Sequence, residues 1–206
     1  MTAKIKLNAA SGGGSFSLQA PSSSANNRVF TLPDSADATL LTSTASLGKI
    51  LQVVSTTKTD IASNSTATQS YWNNTDFKVT ITPSSASSKL FITACIMVGV
   101  DSQQSLIVQL RKDGSILTGA NADAGVSGQG QGSYHHSYST SAEAPMPAII
   151  NYLDTAGNTT QRYYSCAYSH TSGSTRTMYL NRGSGNSGSY HMARSTSTIT
   201  VMEVAA

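Results

Sequence analysis

The chain has 206 residues, and its 13 Lys and Arg against 10 Asp and Glu give a formal net charge of +3. Ser and Thr fill 59 positions, whereas charged residues make up only 11%, under half the usual share. A disordered chain of this polarity would carry a high net charge, and the scattered Lys and Arg form no stripe that could follow a phosphate backbone. We therefore expect a folded, hydroxyl-rich protein of the secreted or virion-borne type that does not bind nucleic acid.

The first section, residues 1–48, alternates pairs of apolar residues with small polar ones. Gly12-Gly13-Gly14, Pro21 and Pro33 separate the pairs, which predicts short strands joined by turns. The pairs are Ile5/Leu7, Phe16/Leu18, Phe30/Leu32 and Leu40/Leu41. Such a segment cannot bury its few apolar residues alone, so we expect copies of it to wrap one another into an intertwined β-stalk. The alternative is a disordered leader.

From residue 49 to residue 206 the pattern changes to longer β-branched and alternating runs, and no window has a helical period. Eight or so strands at this spacing predict an all-β domain, a β-sandwich of the jelly-roll type. The predicted strands are 49–57, 77–82, 89–100, 106–110, 115–118, 148–153, 162–170, 177–181 and 197–204.

Three local patterns make sharper predictions. Lys89–Val100 has apolar residues on both faces, which predicts a strand that is covered on both sides. Ser197–Val204 is also apolar on both faces, which favours a position in the middle of a sheet or against a neighbouring subunit. Asp113-Gly114 between two apolar runs predicts a tight hairpin.

Cys95 and Cys166 both lie in strand patterns and outside any CxxC context, so we expect small buried hydrophobic side chains. A single disulfide between them remains open. Trp72, beside the turn-like Asn73-Asn74, is expected to cap the core rather than to grip a sugar.

Two Gly-rich loops, Gly119–Ser133 and Gly183–Ser189, interrupt the strands and carry the candidate ligand-binding residues. These are the aromatic and imidazole side chains that border the loops. Aromatic side chains of this kind can stack on a sugar ring. The candidates are Tyr134, His135, His136, Tyr138, Tyr190 and His191. The alternative is that they are ordinary surface residues. The usual metal-site spacings and a nearby carboxylate are absent, so we predict no metal site.

The ten acidic residues form no evident pair of the kind that sugar hydrolysis needs, and no hydrolase, metalloprotease, P-loop or dinucleotide motif is present. We therefore predict a protein that is not an enzyme and that needs no cofactor. Met1–Ala10 does not read as a signal peptide, and Ala94–Val100, the longest apolar stretch, is too short to span a bilayer. We expect synthesis in a bacterial cytoplasm without export and without membrane insertion.

Several strings resemble fibre-like structural proteins of marine tailed bacteriophages. In the first section these are KLNAASGGGSFSLQA (6–20) and RVFTLP (28–33); later they are GKILQVVSTTKTD (48–60), VTITPSSASSKL (79–90) and STITVMEV (197–204). Residues 119–147 match least.

The resemblance implies a homotrimeric virion appendage of the tail-fibre, head-fibre or capsid-decoration type. Residues 1–48 would attach to other virion proteins, and residues 49–206 would form a knob similar to those of C1q and tumour necrosis factor. The alternatives are a tail-fibre adhesin that binds a host receptor or surface glycan, a capsule depolymerase, and a secreted bacterial lectin.

Overall fold

The fold is known from a computed structural model, which describes residues 4–8, 10–19, 23, 25, 49–67, 70–102, 104–122, 132–136, 144–185 and 194–206. The chain divides into two compact units, residues 1–42 and 43–206. The boundary predicted after residue 48 lies outside the described residues and stays a prediction. All regular elements in the described ranges are β-strands, and every named pair is antiparallel.

The strands are numbered in chain order. They are β1 Lys4–Asn8, β2 Ser15–Gln19, β3 Ile50–Lys58, β4 Ala62–Thr66, β5 Trp72–Ile81, β6 Lys89–Val100, β7 Leu106–Lys112, β8 Ser115–Ile116, β9 Tyr134–His136, β10 Met146–Thr155, β11 Arg162–His170, β12 Arg176–Leu180 and β13 Ser197–Val204.

In the first unit β1 and β2 form an antiparallel hairpin, which confirms the short strands predicted at Ile5/Leu7 and Phe16/Leu18. Gly12 and Gly13 in the connection have positive φ angles of 85° and 69°. The hairpin leaves Ile5 and Leu7 mostly exposed. Residues 30–41 lie outside the described ranges, and the intertwined stalk stays a prediction.

The second unit contains two antiparallel sheets that share one hydrophobic core. The six-stranded sheet has the order β3-β13-β6-β12-β4, with β10 on the other side of β6, and the five-stranded sheet has the order β5-β11-β7-β8, with β9 on β7. Side chains alternate between the two faces of a strand, so every second residue of β6 from Leu90 to Val100 is buried in this core. The unit is all-β, and its two sheets are compatible with a β-sandwich.

The sequence pattern locates most of these strands. The bounds of β6, β11 and β13 are those predicted, while β4 and β9 were not predicted. β4 reads ASNST and lacks an apolar alternation, so its placement depends on its partner β12. The turn predicted at Asn73-Asn74 is wrong, because both residues continue β5. Trp72 is partly buried against the core, as predicted, and its ring meets that of Tyr168 at a centroid distance of 5.5 Å.

Two further predictions are confirmed. β13 lies between β3 and β6, in the middle of its sheet. Asp113 and Gly114 form the two-residue turn between β7 and β8, with φ angles of 51° and 78°. Positive φ at both central residues is the requirement of a type I′ hairpin turn, and the Asp-Gly dipeptide meets it.

A buried polar cluster joins β13 to β12 along the edge of β6. β13 pairs with β6 up to Cys95 and β12 pairs from Val98, so the backbone at Met97 has no strand partner on that edge. Met97 N–H donates to Ser197 Oγ at 2.9 Å, and Met97 O accepts from Asn181 N–H at 2.8 Å. Asn181 Nδ2 also donates to the carbonyl oxygens of Lys58 and Asp60. Because every one of these groups is paired, the sheet stays continuous across the gap.

Candidate functional site

The predicted loop-tip site is only partly within the described residues. Tyr134, His135 and His136 form β9, paired in register with Val108, Ile107 and Leu106. The ring of Tyr134 is partly buried and packs against the hydrophobic core.

The side chains of the two histidines, and all of Tyr138, Tyr190 and His191, lie outside the described residues. The structure therefore places one of the six side chains, and ligand binding at these loops stays a prediction.

The six-stranded sheet has a second candidate surface, on the side away from the core. Pairing of β3, β13, β6 and β10 aligns their outward residues in rows that run straight across the four strands. We call three of these rows together the outer face. They are the apolar row Val53–Met202–Phe91–Leu153, the hydroxyl row Ser55–Thr200–Thr93–Asn151 and the mixed row Thr57–Thr198–Cys95–Ile149.

The outer face is largely exposed, carries no charge, and combines apolar side chains with hydroxyl groups and one amide. Val53, Leu153 and Ile149 expose 55%, 54% and 60% of their surface, and Phe91 and Met202 between them are partly exposed. None of the twelve side chains in the three rows is Asp, Glu, Lys, Arg or His. In the hydroxyl row Ser55 Oγ and Thr200 Oγ lie 2.8 Å apart and share a hydrogen bond.

These exposures correct two predictions. From residue 89 to residue 97, β6 is covered on its inner side only, because Cys95 is exposed and Phe91, Thr93 and Met97 are partly exposed. Cys166 is buried as predicted, whereas Cys95 is an exposed free thiol, and no disulfide joins them. The reason is that alternation places Cys95 on the outer side of its strand.

The outer face ends at Gly99. A Cβ atom at this position would lie 2.5 Å from the carbonyl oxygen of Arg182, because the backbone of residues 182–183 crosses β6 there. Only glycine allows this close approach. The guanidinium group of Arg182 in turn stacks over the ring of Tyr179 at 4.0 Å.

Sequence reasoning did not find the outer face, although it found its parts. The apolar outward residues of β6 and β13 were visible as runs that are apolar on both sides. The alignment of Val53 and Leu153 with them depends on the register of four strands, and that register is formed by residues up to 154 positions apart. The signal available in the sequence was one apolar residue at a corresponding position in each predicted strand.

Several of the described carboxylates accept hydrogen bonds within the fold. Asp154 accepts hydrogen bonds from Lys112 Nζ and Tyr164 Oη, both at 2.7 Å, and so links β10 of one sheet to β7 and β11 of the other. Burial opposes ionisation of Asp154, but these two donors outweigh it and lower the pKa of its carboxyl group.

Glu203 lies on the inner, core-facing side of β13, next to the last residue of the strand. Its side chain is fully buried, and its two carboxylate oxygens accept from Gln52 Nε2 and from the backbone and hydroxyl groups of Ser84. Burial opposes its ionisation, but the hydrogen bonds outweigh this cost and lower the pKa of Glu203 to about 2. Asp113 Oδ1 similarly accepts from the backbone of Tyr163 beside the hairpin turn. These groups act as acceptors that hold loops and strands together.

No protein-family model matches this sequence, and no curated protein matches it either. Within the ranges that the structure describes, no helix is long and apolar enough to cross a membrane. The same ranges contain no cluster of three or more His, Cys, Asp or Glu side chains that could hold a metal ion.

Proposed function

We propose that this protein is a non-enzymatic structural protein of a bacteriophage virion. It is a homotrimeric short fibre or decoration protein, with residues 1–48 attached to the particle and residues 49–206 displayed as a jelly-roll knob. The sequence resemblance to marine phage fibre proteins supplies the virion context.

The order of the strands is the observation that carries this proposal. The eight strands β3, β5, β6, β7, β9, β10, β11 and β13 can be numbered one to eight along the chain. Their pairing then reads 1-8-3-6 in one sheet and 2-7-4-5 in the other, and β4, β8 and β12 are short additions. Eight strands paired in this order are compatible with a jelly roll, a fold of capsid and lectin domains.

The use of the carboxylates supports a structural role over a catalytic one. Asp154 and Glu203 are acceptors in bonds that join the two sheets or fix a loop, and each has a lowered pKa. Catalytic acids in glycosidases instead have a raised pKa and a second carboxylate nearby. A fold alone does not define a function, so the location of the protein needs a direct test.

The test has two parts. Sedimentation equilibrium of the full chain should give three times its mass of 21.5 kDa. Gold-labelled antibodies against the protein should decorate purified phage particles, and their position should distinguish a tail fibre from a capsid decoration. A chain that stays monomeric, or that mass spectrometry does not detect in purified particles, contradicts the proposal.

A further inference from the structure

We propose that the outer face of the six-stranded sheet is the surface through which copies of this chain bind one another. The inference rests on the proposed homo-oligomer and goes further, because it assigns the contact to one sheet face and names its residues. The occupant of the face is a second copy of this chain.

The exposed area favours a stable contact between chains. Val53, Leu153 and Ile149 each expose more than half of their surface. These three side chains alone present on the order of 300 Å² of apolar area, the lower end of the range of the largest patch on a typical monomer. The partly exposed Phe91 and Met202 and the hydroxyl row extend the surface toward the about 800 Å² per partner of a standard interface.

The chemistry of the face fits a copy of itself. Two identical charged surfaces repel, whereas the three rows of the outer face carry no charge, although the chain as a whole has a net charge of +3. Hydroxyl and amide groups both donate and accept hydrogen bonds, so the row Ser55–Thr200–Thr93–Asn151 is complementary to the same row in another chain. Depletion of charge, together with the apolar residues Phe91, Met202 and Leu153, matches the composition of an interface centre.

The thiol group of Cys95 can report on whether the outer face is covered. Cys95 lies in the mixed row, between Thr198 and Ile149, and its side chain is exposed in the single chain. Cys166 is fully buried in the core, and burial raises its pKa to about 12, so it stays unreactive while the protein is folded. The chain therefore carries one thiol that reports on the outer face and one that reports on unfolding.

The first experiment measures the labelling rate of Cys95 with N-ethylmaleimide in the intact chain, with peptide mapping to separate the two cysteines. At concentrations where the mass is that of an oligomer, we expect labelling at least about tenfold slower than in the unfolded chain. Cys166 should stay unlabelled until denaturant is added. Fast labelling of Cys95 in the oligomer overturns the inference but leaves the proposed trimer standing.

The second experiment places a charge in the apolar row. Leu153→Lys should weaken association at least about tenfold and restore fast labelling of Cys95, because a buried interface cannot solvate the ammonium group. Ile116→Lys is the matched control, since Ile116 is 42% exposed on β8 of the other sheet. It should leave both the mass and the labelling unchanged, and unlabelled Cys166 in each variant shows that the fold is intact.

The remaining outcomes are decisive as well. Equal association of Leu153→Lys and wild type places the interface elsewhere. Protection of Cys95 in a species of monomer mass means that the same chain covers the face. If the outer face instead binds lipid, neutral phosphatidylcholine vesicles should protect Cys95 in a monomer. A wild-type chain that is monomeric at every concentration contradicts both this inference and the proposed function.

Discussion

Ile149 and Ile150 are consecutive residues of β10, and they lie on opposite sides of the same sheet. Ile150 is 4% exposed and packs in the core, whereas Ile149 is 60% exposed on the outer face. Both sides are apolar, but only the inner side is covered within the chain. An alternating pattern therefore identifies the two sides of a strand without showing which contact covers each of them.

Alanine substitution of the two isoleucines should separate these sides most clearly. Ile150→Ala should lower the free energy of unfolding by roughly 3–4 kcal/mol, because it leaves a cavity between the sheets. Ile149→Ala should lower it by about 0.5 kcal/mol or less in the monomer. Urea denaturation at low protein concentration measures both values.

The same pair of variants can show that Ile149 and Ile150 do not differ in the way described. Equal losses in the monomer would mean that Ile149 is buried by its own chain. A loss for Ile149→Ala that appears only at high protein concentration would instead locate its effect in the association of chains.

The stability of the inner side also depends on the buried polar residue Asn181, and substitution of this residue measures how much. Asn181→Ala removes the donors to Lys58 O and Asp60 O and the acceptor of Ser197, and it leaves alanine at a φ of 63°. We expect a loss of roughly 3 kcal/mol, because buried partners remain without hydrogen bonds and the left-handed backbone is strained.

Asn181→Gly is the control for the strain, since glycine adopts positive φ freely. It should recover about 1 kcal/mol of the loss while the hydrogen bonds stay absent. If both variants unfold at the wild-type urea concentration, the cluster does not hold β12 and β13 together.

The inner side could be predicted from the sequence far better than the outer face or the polar cluster. Alternation gave the bounds of β6, β11 and β13, because core burial acts on each strand separately. The sequence indicated only that Asn181 ends a strand. Its hydrogen bonds fill the gap between β13 and β12, which pair with successive parts of the same edge of β6. The outer face depends on strand register, which single-strand patterns do not contain. The ligand-binding residues predicted at the loops have no such alternation, and Tyr134 is the one among them whose side chain lies within the described residues.

The pH dependence of stability provides a smaller test on the inner side. Glu203 has a pKa of about 2 in the folded chain against an ordinary value of 4.5, so the folded state holds its proton less tightly. The stabilisation is therefore complete above about pH 4.5 and is lost as the pH falls toward 2, and we expect a loss of about 2 kcal/mol. Asp154 changes in the same direction, so the measured quantity is the difference between wild type and Glu203→Gln at pH 6 and pH 3. A difference that does not change with pH would contradict this account.

The smallest effect is expected on the outer face, at Thr200. Thr200→Val keeps the β-branched shape and removes the hydroxyl group that lies 2.8 Å from Ser55 Oγ. Because both groups are accessible to water, the free energy of unfolding of the monomer should change by less than about 0.5 kcal/mol. Association should respond more strongly, since the lost hydroxyl would leave its counterpart in the second copy unpaired at the interface. Thr80→Val on the exposed side of β5 is the matched control, and it should change neither unfolding nor association. Equal association constants for the two variants would show that the hydroxyl row is a solvated surface and not the centre of a contact.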